Sequence, residues 1–238
     1  MEEYVRAALA CGLEEIIFLE HLEKGISYFE STWLSEEDFS RYQVEGKRLQ
    51  QRYAGKIRIG LGVEVGYNPR AVVELLDFLK RYQWDRVGIS FHFYEIAGRH
   101  YNVVSRRACN LDALAAHGIE KVVFDYFATL LEAIDLLPGT VLCHLDAVLR
   151  HYPDIRFSEA HQSMIRQILQ AMQKKKLALE VNTSGIPLRS EPYPSLWIIE
   201  EAIALGIPLL AGSDAHKPGD VGRFFDRLQF PAADRDGA

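Results

Sequence analysis

The chain has 238 residues, 48% of them hydrophobic and 25% charged, with a formal net charge of −6. That balance suits one globular α/β domain, is too apolar for a disordered chain, and leaves no electrostatic footprint for a nucleic-acid backbone. No run is long and apolar enough to span a membrane and no leader peptide is evident. Cys11, Cys109 and Cys143 lack CxxC spacing, so a cytoplasmic protein with free thiols is expected.

Residues 2–11 place Tyr4, Val5, Ala8 and Leu9 on one helical stripe, and Gly12 ends it. An apolar strand follows and finishes Ile16-Ile17-Phe18-Leu19-Glu20-His21. Residues 34–53 read as a helix, 57–65 as a strand containing Leu61-Gly62-Val63-Glu64, and 69–82 as a helix with Val72, Leu75, Leu76 and Leu79 inward. The next strand closes on Gly88-Ile89-Ser90-Phe91-His92. Helical spacing returns at 110–116 and 121–136, a strand at 140–144 ends Val141-Leu142-Cys143-His144, and 158–175 is a helix. Strands at 177–181 and 207–211 flank a helix at 194–205, and the last strand delivers Asp214 and His216. Residues 1–230 form one domain, followed by a polar tail at 231–238.

Strands alternating with helices imply a parallel sheet, and a barrel places its functional groups at the C-terminal strand ends. Five strand ends here finish on a potential ligand: His21, Glu64, His92, His144, and the Asp214/His216 pair. One histidine at a strand end is ordinarily a hydrogen-bonded structural residue. Six convergent groups are metal chemistry, and imidazole mixed with carboxylate suits zinc, iron or manganese better than calcium or magnesium. Period-2 alternation puts Gly62 with Glu64, Ser90 with His92 and Leu142 with His144 on the inner face. Val63, Val65, Phe91 and Phe93 then lie under helices, and Cys143 is a packed thiol on the face opposite His144. His100, His117, His151 and His161 read as solvated surface residues. Glu180 and Asn182 are inward layer positions, Asn182 serving a loop or a ligand, and Asp146 is an orienting group beside His144.

The Gly62-Val63-Glu64-Val65, Ser90-Phe91-His92-Phe93, His144-Leu145-Asp146 and Gly212-Ser213-Asp214-Ala215-His216 segments resemble the PHP (polymerase and histidinol phosphatase) superfamily. Leu179-Glu180-Val181-Asn182-Thr183-Ser184-Gly185, with Arg189 and Tyr193-Pro194-Ser195, is similar to its histidinol-phosphatase branch. The resemblance implies a distorted seven-stranded (β/α)7 TIM-like barrel, up to three divalent metals (zinc, iron or manganese), and hydrolysis of a small-molecule phosphate monoester. It implies that Glu64 bridges two ions, that His92 and His144 complete one of them, that Asp214 binds another, and that His21 and His216 bind a third. Glu64, Asp214 and His216 are the expected catalytic positions. The family's opening strand with His-x-His does not occur in this sequence, so a barrel lacking its first strand and incomplete metal loading are expected.

The substrate phosphate needs a cation besides the metals. Arg189 is the first candidate and Arg106 or Arg107 the second, with Asn182 as a further contact. Glu20, Glu95 and Asp146 stand near ligands and are candidates to pair with an ammonium. The resemblance points to a histidinol-phosphate phosphatase in histidine biosynthesis. A phosphoesterase for nucleotides or nucleic-acid ends and a metal-poor, non-catalytic fragment are the alternatives. Neither membrane nor nucleic acid is an expected partner.

Overall fold

The computed structural model describes residues 1–153 and 155–228; the tail expected at 231–238 lies outside them. In chain order the elements are α1 (Glu2–Ala10), β1 (Glu15–Glu23), α2 (Glu36–Arg52), β2 (Arg58–Gly66), α3 (Val72–Leu79) and β3 (Arg86–Ser90). A hairpin of β4 (Phe93–Ile96) and β5 (Arg99–Asn102) follows, then α4 (Ala108–His117), α5 (Ile119–Leu136), β6 (Val141–Leu142) and α6 (Glu159–Lys175). The chain continues through β7 (Ala178–Asn182), α7 (Ile186–Arg189), α8 (Leu196–Ala204) and β8 (Leu209–Gly212).

Six strands pair in the order β1-β2-β3-β6-β7-β8, every neighbour parallel. The sheet curls into a half-barrel. Its two end strands approach at the C-terminal rim, where the His21 ring beyond β1's middle and the His216 ring after β8 are 6.3 Å apart. The six expected strands are therefore present in an α/β fold of the expected kind. The hairpin was not foreseen. It is made by a two-residue Ala97-Gly98 turn with φ of 50° and 79°, the left-handed geometry that a tight hairpin turn requires and that glycine supplies without strain.

Local chemistry sets the helix ends. Ser35 Oγ accepts from the Asp38 amide at 3.1 Å while Asp38 accepts from the Ser35 amide at 3.2 Å, a reciprocal cap that starts α2 two residues later than apolar spacing suggested. The main core lies between the sheet and its helices: Val63, Val65, Ile89, Leu142 and Leu179 pack with Leu75, Phe78, Tyr126, Leu130, Ile165 and Leu169. Each such side chain contributes about 1.5–3 kcal/mol by leaving water.

A small second cluster, Val141, Cys143 and Ala178 with Leu19 and Leu210, lies on the other face of the sheet, beneath the rim. This corrects the expected faces of β6. Leu142 packs outward under the helices, and Cys143 packs inward, so close to Gly88 that a Cβ there would lie 2.6 Å from its sulfur. Simple alternation would then carry His144 outward. Instead β6 ends after two residues and His144 takes φ of 25°, a left-handed turn that brings its ring back to the inner side.

Candidate metal centre

Glu64 stands at the centre of the rim. Its Oε1 is 2.8 Å from His144 Nε2 and 3.1 Å from His92 Nε2, and its Oε2 is 3.8 Å from His21 Nε2. The His21 and His92 rings stack at 4.8 Å between centroids, and His92 and His144 are 5.5 Å apart. Four strands build this cluster: parallel register sets His21 beside Glu64 and Glu64 beside Gly88, four residues before His92, and Gly88 beside Val141, three before His144. Donor atoms of Glu64, His92 and His144 all lie within 4.8 Å of one another.

This donor set fits a divalent cation. Nitrogen and oxygen ligands about 2.1 Å from a tetrahedral ion lie roughly 3.4 Å apart, within the 2.8–3.8 Å spread of the separations here. His144 Nδ1 is buried with no hydrogen-bond partner, which costs about 1–3 kcal/mol unless a ligand satisfies it. Burying a carboxylate among several imidazoles is otherwise expensive.

Electrostatics point the same way. Burial alone would push the Glu64 carboxyl up, but the imidazoles of His21, His144 and His92 hold it well below the usual carboxylate range. Burial opposes a charged His92, yet hydrogen bonds to Glu23 and Glu64 push it up to about 10. His144 is also raised, Glu64 outweighing its burial, whereas burial lowers His21 despite the same carboxylate. Without a cation the cluster therefore holds protons, and a metal must displace them.

Asp214 and His216 form a more open wing. Asp214 has φ of 47°, and burial is outweighed by His144 and His216, which lower its pKa. His216 is 71% exposed in its side chain, with Nδ1 3.0 Å from the Asp214 carbonyl. A cavity of about 720 Å³ opens over both wings, lined among others by His21, His92, His144, Asp214, His216 and Arg106. All six expected metal ligands except buried Glu64 thus face one cavity, with Glu64 directly beneath.

The other expected site residues divide. Arg106 lines the cavity, as does Arg107, which is tied to Glu30 at 2.5 Å. Arg189 does not. Its guanidinium grips buried Asp146 bidentately at 3.0 and 3.1 Å, bonds the Pro192 carbonyl, and lies over the Tyr193 ring at 4.0 Å. The place expected for a phosphate clamp holds a satisfied ion pair. Asn182 is buried as well, accepting from the Ser184 amide and donating to Glu180, so its bonds hold a loop. Asp146 also accepts from the Ser195 amide and hydroxyl at 2.9 and 2.6 Å, and it orients that loop rather than His144. Glu95 pairs with Arg70 at 3.0 Å. None of Glu20, Glu95 and Asp146 is among the described residues lining the cavity.

Three of the four histidines read as solvated surface are not so. His100 is buried and accepts from the Ser27 amide, and His161 is buried at the start of α6, where its Nδ1 accepts from Ser158. His151 is on the cavity wall beside Arg150, whose guanidinium is 3.8 Å from the Asp214 carboxylate. A signal for both existed: they follow His144 in the same strand-to-helix loop, at the end of a barrel where substrate groups gather. Sequence reasoning also missed Glu23, whose carboxylate is 2.7 Å from His92 Nδ1.

A parallel half-barrel with histidines and carboxylates gathered at its C-terminal rim defines an α/β metalloprotein of the barrel class. The chain belongs to the PHP family: the PHP domain model matches residues 1–184, and a PHP-associated model matches 198–237. It is 28% identical to the histidinol-phosphatase of Bacillus subtilis, over 95% of this chain and 90% of that one. A Listeria monocytogenes structure provisionally named as a histidinol phosphatase superposes with TM-score 0.87 at 24% identity, covering 96% of this chain and 93% of the other. The Lactococcus lactis histidinol phosphate phosphatase, solved with zinc, L-histidinol and phosphate, gives TM-score 0.69 at 24% identity, covering 89% and 78%.

Proposed function

We propose that this chain is a metal-dependent phosphomonoester hydrolase whose substrate is L-histidinol phosphate. The carrying observation is the Glu64 carboxylate shared by His92 and His144 beneath a cavity whose wall carries Arg106 and Arg150. The Bacillus subtilis relative, similar over nearly the full chain, supports the choice of substrate.

Divalent cations, zinc, iron or manganese and up to three in number, would supply an activated water at neutral pH and charge neutralisation at phosphorus. Glu64, His92 and His144 would hold one of them, and His21, Asp214 and His216 would serve the others. Arg106 and Arg150 offer charge-assisted hydrogen bonds to the phosphate oxygens, replacing the clamp expected of Arg189. Asp214 keeps Arg150 at the wall by opposite charge. The cavity is large enough for an imidazole-bearing amino alcohol together with its phosphate.

The test is phosphate release from L-histidinol phosphate by protein given zinc or manganese, beside a 5′-phosphorylated oligonucleotide. Turnover of the amino-alcohol ester that a chelator abolishes is expected. Faster release from the oligonucleotide, or none from either by metal-loaded protein, contradicts this reading.

A further inference from the structure

Glu23 is the last residue of β1, and its side chain is 2% exposed. It is not among the residues lining the cavity. A buried carboxylate is costly unless its oxygens are bonded, and its hydrogen bond runs 2.7 Å to His92 Nδ1. The opposite nitrogen of that ring, Nε2, is the one facing Glu64 at 3.1 Å. The neighbouring strand makes room for this arrangement. Glu23 pairs in register with Gly66, where a Cβ would lie 2.0–2.2 Å from the Glu23 carboxylate, so only glycine admits the acid there.

We infer that Glu23 is a positioning residue that fixes the tautomer and tilt of His92, keeping the proton on Nδ1 and turning the Nε2 lone pair toward the cation held with Glu64 and His144. This rests on the reading that the Glu64 cluster binds a divalent cation. The physical ground is general: an imidazole has two nitrogens, and the hydrogen bond made by one decides which is free to ligate. A carboxylate acceptor also raises the ring's basicity as a ligand. His21, stacked on the other side of His92, restricts ring rotation without bonding Nδ1. Glu23 therefore acts on the metal through His92. The His21/Glu23/His92 donor atoms also lie within 4.8 Å of one another, so a direct ligand role is the rival to be separated.

The experiment uses the full chain as wild type, Glu23→Gln and Glu23→Ala, with Glu64→Ala as control. It measures zinc affinity by competition with a chromogenic chelator, bound zinc per chain, and the visible absorption of the cobalt form. Positioning predicts unchanged stoichiometry, zinc affinity weakened roughly 10–100-fold in Glu23→Ala, an intermediate loss in Glu23→Gln, whose amide oxygen still accepts from Nδ1–H, and a shifted cobalt spectrum. Should Glu23→Ala fail to fold, Glu23→Gln alone decides by the same readouts. Affinities within twofold of wild type in the folded variants overturn the proposal, and so does the loss of one zinc per chain, which would make Glu23 a ligand. Zinc stoichiometry and affinity both unchanged in the Glu64→Ala control, or no zinc bound by wild type, sinks the underlying cation reading instead and the proposal with it.

Discussion

Glu64 and Asp146 are both buried carboxylates at the same rim, yet their surroundings are opposite in kind. Asp146 meets a guanidinium, a backbone amide and a hydroxyl, all permanent donors at 2.6–3.1 Å. Glu64 meets three imidazoles, each able to lose its proton and become a ligand. The first is a closed ion pair holding the loops after β6 and β7 together. The second can exchange protons for a cation, so burial with satisfied partners marks structure and burial among titratable rings marks function.

Removing each carboxylate should separate the two roles. Glu64→Ala is expected to lower phosphatase turnover by at least about 10²-fold and to weaken zinc binding, with the protein still folded by near-ultraviolet circular dichroism. Asp146→Ala should instead cost about 2–4 kcal/mol in chemical denaturation, because it leaves the Arg189 charge and the Ser195 amide without their acceptor. Zinc affinity should stay near wild type. If Asp146→Ala abolished zinc binding at unchanged stability, the contrast would be wrong.

Proton linkage sharpens the same contrast. His92 is raised to about 10 in the folded protein from an ordinary value near 6.5, so the stability it lends the metal-free form is complete below about pH 6.5. That contribution is lost as pH rises toward 10. Glu64 is depressed, so its contribution is present above its ordinary value and vanishes as pH falls through the lowered one. Zinc binding competes with the His92 proton and should tighten with rising pH over the window where the metal-free form weakens, releasing protons measurable by calorimetry in two buffers. A metal affinity independent of pH between 6.5 and 8.5 would contradict it. A smaller effect is expected at the wall: Arg106→Ala should raise KM for the phosphate ester roughly tenfold with little change in thermal midpoint.

Much of this site could be read before any coordinates. The inward positions of His21 and Glu64 follow directly from apolar runs, because β1 and β2 extend past them and period-2 alternation holds, whereas His92 lies two residues beyond the end of β3. His144 is different. Its strand is two residues long, and a left-handed backbone at a non-glycine residue leaves no trace in a hydrophobic pattern. The inversion of Leu142 and Cys143 has the same origin. Arg189 was misread because a motif shows that a cation is present but not which carboxylate has already taken it. His161 and His100 were misread because burial of a polar ring depends on a local acceptor role that spacing does not reveal. Glu23 escaped notice because its partner is distant in sequence, although the glycine opposite it at position 66 was visible all along.

Zinc-edge anomalous diffraction from a zinc-soaked crystal bears most directly on the central claim. The account predicts a peak about 2.0–2.2 Å from a Glu64 carboxylate oxygen and from ring nitrogens of His92 and His144, with none beside Asp146. No peak at Glu64, or one at the Asp146–Arg189 pair instead, would contradict it.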